Sequence, residues 1–260
     1  MTASSEDGNR IIQGLWIGPR LSLMEELSIR SFMAHGHEYH LYTYGQVDNL
    51  PEGTVVRNAD EIISSEKIFK YRDHDSYAGF SNHFRYKLLL QNGGWWADLD
   101  LICLRRFDFT AEYVFSSEDR QPDDDNDGHV NVGAIKSPPG SQLIEYVWGV
   151  CQSKNPATLS WGEIGPRLFD KGVRKFGLES YVKRAHVFCP IPWFRWKEVI
   201  DPDFRSPFPA ETYAVHMWNE LWRRDGFDKD KQYDTACLYE RLKAKYPKAR
   251  ASRGPAKVHE

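Results

Sequence analysis

The chain has 260 residues, 41% hydrophobic and 27% charged, with a formal net charge of -3, and can bury the core of one generous domain. So mild an acidity offers no cationic footprint for nucleic acid. No run of about 18 apolar residues and no N-terminal apolar segment marks a membrane span or a cleaved signal, so any membrane contact would be peripheral.

Residues 1–10 are small and polar and read as a disordered leader. Ile11-Ile12-Gln13-Gly14-Leu15-Trp16-Ile17-Gly18 predicts a first strand, ended by Gly18-Pro19. A helix is expected over 22–35, with Leu23, Leu27 and Ala34 on one face, Ile29 and Met33 on another, and Gly36 at its end. Strands follow at 39–44 and at Val55-Val56. That β-α-β order implies right-handed crossovers and a mainly parallel sheet with helices on its faces.

The stretch 81–107 organises the rest. Phe84, Leu88 and Leu89 recur at helical spacing, Ser81 can cap the first turn, and Asn92-Gly93-Gly94 stops the helix. Trp95-Trp96-Ala97 then reads as a buried strand that delivers Asp98-Leu99-Asp100 at its end. In open α/β sheets ligands collect at the strands' carboxyl ends, and two Asp there can hold Mg²⁺ or Mn²⁺ bridging to substrate phosphates. The plainer alternative is a pair of strand-end turn residues. Arg85 lies roughly 10 Å of helical rise before the helix end, and Gly94 to Asp98 spans roughly 13 Å back, which places its guanidinium near Asp98. On an amphipathic helix it could equally be a surface arginine.

Further strands are expected at 101–104, 113–116 and 129–135. Between the last two, Asp123-x-Asp125-x-Asp127-Gly128 matches half a calcium loop, but Ala134 stands at its twelfth position, so the segment reads as a solvated acidic loop. Asn131 suits a sugar hydroxyl or a backbone-bridging role. Helices are expected at 143–150 and 167–176, joined by a loop over 161–166 in which Glu163 is either an acceptor contact or an ordinary charged residue. The strand 213–218 carries His216, a metal ligand or a satisfied core histidine, and Trp218 close by. A last helix at 235–245 precedes a flexible tail, 247–260. Cys103, Cys151, Cys189 and Cys237 have neither paired nor zinc-like spacing and read as buried thiols in a reducing cytoplasm. The 14% aromatic content, with nine Trp, mildly favours a carbohydrate site.

Taken together, Ser81-x-x-x-Arg85-Tyr86, Gly93-Gly94, Asp98-Leu99-Asp100 and the segment 13–18 resemble the sugar-nucleotide region of family 32 glycosyltransferases and of clostridial toxin glucosyltransferase domains. The resemblance implies a GT-A fold, with 11–136 as the nucleotide-sugar half and 137–246 as the acceptor-side half of one domain. It also implies a divalent cation, a nucleoside diphosphate sugar donor, a glycan or glycolipid acceptor and retention of configuration. Asp98 and Asp100 match the family's acidic pair, and Arg85 the helix arginine facing the donor sugar. Trp16, with Leu15 beside it, lies on the strand bordering the base. Asn131 and His216 sit where relatives present a polar contact and a last metal ligand, while Glu163 and Trp218 fall on the acceptor side. One departure stands out: Asn82 replaces an Asp that usually follows the capping Ser, so a neutral amide meets the sugar hydroxyls.

Two other classes remain open on sequence. A phosphohydrolase of the haloacid dehalogenase kind would use Asp98 as nucleophile and Asp100 as general acid, but its motif usually opens the chain. A non-catalytic sugar-nucleotide-binding or calcium-binding protein is the other, with Asn82 its best support.

Overall fold

A computed structural model describes residues 9–72, 74–121, 130–205 and 207–248. Among these residues eight strands, β1 (Ile11–Trp16), β2 (Glu38–Thr43), β3 (Val55–Asn58), β4 (Gly94–Ala97), β5 (Leu101–Cys103), β6 (Val114–Ser117), β7 (Val130–Ser137) and β8 (Ala214–His216), form two sheets. Six lie in the main sheet in the order β3-β2-β1-β4-β7-β6, and β5 pairs with β8 in a small second one. The first four run parallel, while β7 is antiparallel to β4 and β6 to β7. The α/β class and mainly parallel sheet flanked by helices are as the sequence implies.

Alternation of side chains along the strands divides the interior into two cores. Ile12, Tyr39, Leu41, Trp95 and Ala97 face the side covered by α1 (Leu23–Ala34), β5, β8 and α6 (Leu238–Lys245). Leu15, Tyr42 and Trp96 face the side covered by α2 (Ala78–Asn92), α3 (Gln142–Ser153) and α4 (Pro166–Lys175). Trp95 and Trp96 are both almost fully buried, one in each core.

Helix ends follow their local chemistry. Ser22 caps α1 through a capping box with Glu25. At the end of α2, Gly93 has φ +62, and a Cβ there would come within 2.5 Å of Pro139, so glycine is required twice over. Helix α2 differs from expectation at its start: it begins at Ala78, so Ser81 is not the cap but lies in the first turn, where its Oγ accepts from Arg85 Nη2 at 3.0 Å. The last helix starts at Leu238 rather than 235, and α5 (Asn219–Arg224) had no sequence signal of its own.

Asn9 is already packed: it is buried, its Oδ1 accepts from Trp95 Nε1 and Lys136 Nζ at 2.9 Å each, and its Nδ2 donates to the Phe109 carbonyl. The half-matched calcium loop, Asp123 to Gly128, lies outside the described residues. All four cysteines are buried and free, and no helix among the described residues is long and apolar enough to cross a membrane.

Candidate metal centre and donor cavity

The chain leaves the main sheet at the end of β4 through a turn in which Leu101 N donates to Asp98 O at 3.0 Å. That turn sets Asp98 at the carboxyl end of the parallel strands and passes Asp100 to the small sheet. Because β7 runs antiparallel, its first residues reach the same end, and Gly133 O accepts from Asp98 N at 2.8 Å. Strand β8 pairs Leu101 with His216, which brings the imidazole Nε2 to 3.2 Å from Asp100 Oδ2. Asp98, Asp100 and His216 thus offer ligand atoms within 4.8 Å of one another.

Asp98 is clamped. Its Oδ1 takes Arg85 Nη2 at 3.0 Å and Trp96 Nε1 at 2.8 Å, and Arg85 Nη1 lies 3.4 Å from Oδ2. Arg85 stacks over the Trp96 ring at 4.9 Å and is further held by Ser81 and the Val132 carbonyl. Burial raises the Asp98 carboxyl above its usual range despite the adjoining Arg85 guanidinium, and the neighbouring Asp100 charge adds to the rise. Burial pushes Asp100 the same way, but His216's charge and hydrogen bond, with the Asn219 N–H, hold it below that range.

That N–H is aimed by an unusual residue. Trp218 has φ +56 and ψ +47, a left-handed conformation costing roughly 1–3 kcal/mol for a non-glycine residue. It starts α5 so that Asn219 N donates to Asp100 Oδ2 at 2.8 Å, while the indole N–H is tied to Ile191 O. On the far side of His216, Nδ1 lies 3.8 Å from Cys189 Sγ.

Carboxylate oxygens with one imidazole form a donor set suited to Mn²⁺ or Mg²⁺, the imidazole leaning toward Mn²⁺. The cluster opens into a cavity of about 960 Å³, large enough for a ligand of nucleotide-sugar size. Five tryptophans, Trp16, Trp96, Trp161, Trp193 and Trp218, contribute to its wall.

The structure brings most of the expected residues to this wall. Leu15, Trp16, Asn82, Arg85, Asp98, Asp100, Asn131, His216 and Trp218 all line it. Asn82 is buried and its Oδ1 has no hydrogen-bond partner among the described residues. Asn131 takes the backbone-bridging role, since its Oδ1 accepts from Gly133 N at 2.7 Å, while its Nδ2 positions Glu118 Oε2 at 2.6 Å. Glu163 is not on the wall; it pairs with Lys154 at 2.7 Å and caps Ser160, and the loop contributes Trp161 and Gly162 instead.

Other wall residues carried little sequence signal. A Cβ on Gly133 would meet Asn131 Oδ1 at 2.8 Å, His216 Cε1 at 3.4 Å and Asp98 Oδ2 at 3.5 Å, so the missing side chain makes room in the site. An isolated glycine inside a strand is the usual sign of such a close approach. Glu118 opens the acidic run, and Glu25 and Lys229 fall in segments whose spacing singles out no charged residue.

No family model matches the chain. It is similar to lactosylceramide 4-alpha-galactosyltransferase of Mus musculus, 32% identical over 74 residues, covering 23% of this chain and 21% of the relative. To the Homo sapiens protein of the same name it is 32% identical over 95 residues, covering 31% and 27%. The match therefore spans under a third of either relative's length. Among solved structures, PaToxG glycosyltransferase aligns over 66% of this chain and 72% of its own at 16% identity and a TM-score of 0.44. The glycosyltransferase GlyE of Streptococcus pneumoniae TIGR4 aligns over 94% and 66% at 12% identity and 0.42.

Proposed function

We propose that the chain is a metal-dependent, retaining glycosyltransferase of GT-A type that moves a sugar from a nucleoside diphosphate donor, a UDP-sugar on the sequence resemblance, to a glycan or glycolipid hydroxyl. The observation that carries this reading is the Asp98–Asp100–His216 cluster at the carboxyl end of a parallel sheet, opening into a tryptophan-lined cavity. The glycolipid in the relatives' name supports an acceptor of that class. Free, buried cysteines fit a reducing cytoplasm.

Asp98, Asp100 and His216 would hold Mn²⁺ or Mg²⁺, which when bound supplies positive charge for a diphosphate. Arg85 fixes Asp98 and adds a second positive charge beside the sugar. Trp16 and Leu15 border the base, and the unpartnered Asn82 Oδ1 accepts from a sugar hydroxyl. Trp218, whose indole is held by Ile191, walls the acceptor side, and the aromatic lining limits access of competing water. As transfer proceeds, the bond from anomeric carbon to phosphate oxygen breaks with its electron pair on the phosphate. The acceptor oxygen bonds that carbon on the same face and its proton passes to the leaving phosphate. Asp98, with Arg85 and Trp96 on its oxygens, is poorly placed to act as a nucleophile.

A thermal-shift and hydrolysis screen across nucleotide sugars, with and without Mn²⁺, tests the reading. Stabilisation by one donor that needs the metal and vanishes in Asp100→Ala is expected, with an α-configured product by NMR from an α-linked donor. Indifference to both metal and donor would sink it.

A further inference from the structure

One cation on the cavity wall has no part in the site as described. Lys229 lies between α5 and α6 and lines the same cavity as Asp98, Asp100 and His216. Its backbone is anchored, for the Tyr239 hydroxyl donates to Lys229 O at 2.8 Å. The next residue, Asp230, accepts from Leu23 N at 2.6 Å, fastening the loop to the start of α1. Lys229 Nζ sits 2.5 Å from Oε1 of Glu25, a side chain only 1% exposed.

The other cations on the wall are more heavily committed. Arg85 serves Asp98, Ser81 and Val132 O; Arg223 bonds both Glu220 and His74 O, and Arg224 bonds Glu220 while lying over the Trp161 ring at 4.1 Å. Among the described residues Lys229 has a single carboxylate partner, and that partner is shared, since Glu25 Oε2 also accepts from Ser22 N at 2.7 Å. Glu25 would therefore keep hydrogen bonds if the ammonium turned toward a ligand. Lys229 also lies close enough to Asp100 for the two opposite charges to interact. A flexible four-carbon stem carrying a point charge, on a fixed backbone beside a cation site, suits a phosphate oxygen.

We propose that Lys229 is a donor-binding residue that engages the diphosphate from the Asp100 side of the cavity and stabilises the electron pair left on the phosphate oxygen during transfer. This rests on the glycosyltransferase reading of the site. Glu25 stores the ammonium in place between turnovers and sets the direction from which it approaches.

Calorimetric titration of the full chain in Mn²⁺ with UDP, GDP and ADP, and with the monophosphate of whichever base binds, separates the two ideas. Lys229→Met is expected to weaken the diphosphate about tenfold or more while moving monophosphate affinity less than twofold, and Lys229→Arg to retain most of the diphosphate affinity. Because Lys229→Met leaves Glu25 buried without its cation, the double variant Lys229→Met/Glu25→Gln is measured beside it and should show the same selective loss. Diphosphate affinity within twofold of the parent, an equal loss for the monophosphate, or Lys229→Arg as weak as Lys229→Met overturns the assignment. Failure of the unaltered chain to bind any of the three diphosphates overturns the glycosyltransferase reading itself, and Lys229's role with it.

Discussion

Gly133 sets the width of the site, because a Cβ there would clash with Asn131 Oδ1 at 2.8 Å and come into ordinary contact with His216 and Asp98 at 3.4 and 3.5 Å. Gly133→Ala is expected to lower stability by about 1–3 kcal/mol, as overpacking does, by displacing Asn131 Oδ1, and under the proposed metal reading to weaken Mn²⁺ binding by narrowing the space between His216 and Asp98. Urea denaturation and metal titration read the two effects separately. Asn82 makes the opposite case. A buried carbonyl without a partner gives the fold nothing, so Asn82→Ala should leave the melting temperature within a few degrees of the parent. It should nonetheless weaken a sugar-bearing donor more than the free nucleoside diphosphate. Equal weakening of both would mean that Asn82 does not face the sugar.

At the scale of elements, the site depends on how β5 is held. One edge of that short strand pairs with β8; Ser28 Oγ donates to Leu101 O at 2.8 Å, and Ser31 Oγ accepts from Cys103 N at 2.8 Å. Two helix hydroxyls thus stand in for a missing neighbouring strand. Ser31→Ala strands a buried N–H and should cost about 1–3 kcal/mol, seen as a lower urea midpoint with an unchanged slope. These elements also show what the sequence could reveal. The tryptophan pair followed by Asp98 and Asp100 was legible because strand, turn and acids are contiguous, and Arg85 because helix rise and strand rise can be compared. Ser81 was misread as a cap because α2 continues back through Ala78, Gly79 and Phe80, residues with no strong helix signature. His216 was expected beside the acids only through the family resemblance, whereas the Asn219 N–H and the Lys229–Glu25 pair were not legible as contacts, since each joins segments far apart in the chain or uses backbone atoms.

Across the whole molecule, the buried His37 and the half-buried His83 tie stability to pH. His37 receives the Phe107 N–H on Nε2 at 3.0 Å and has Nδ1 2.9 Å from Asn9 O, an arrangement for the neutral ring. Burial is the main cause that pushes it down to about 4, and burial does the same to His83. Both folded values lie below the unfolded 6.5, so the unfolded chain takes up protons first as pH falls. Their contribution is complete above about pH 6.5 and is lost between there and about pH 4, amounting to roughly 3 kcal/mol for His37. Urea midpoints at pH 7, 5.5 and 4.5 should fall in that order, and His37→Gln should flatten the trend. A His37→Gln variant that keeps the parent's full pH trend would contradict this account of His37.

The pairing of β5 with β8 also has a consequence for biosynthesis. Asp98 and Asp100 leave the ribosome early, but the imidazole and the N–H that complete their surroundings arrive only with residues 216 and 219. A nascent or prematurely ended chain stopping before Ala214 carries both acids and neither complement. Under the proposed metal-dependent reading, cation affinity should therefore separate chains that extend past residue 219 from those that stop before Ala214, a difference that metal titration of the two products measures.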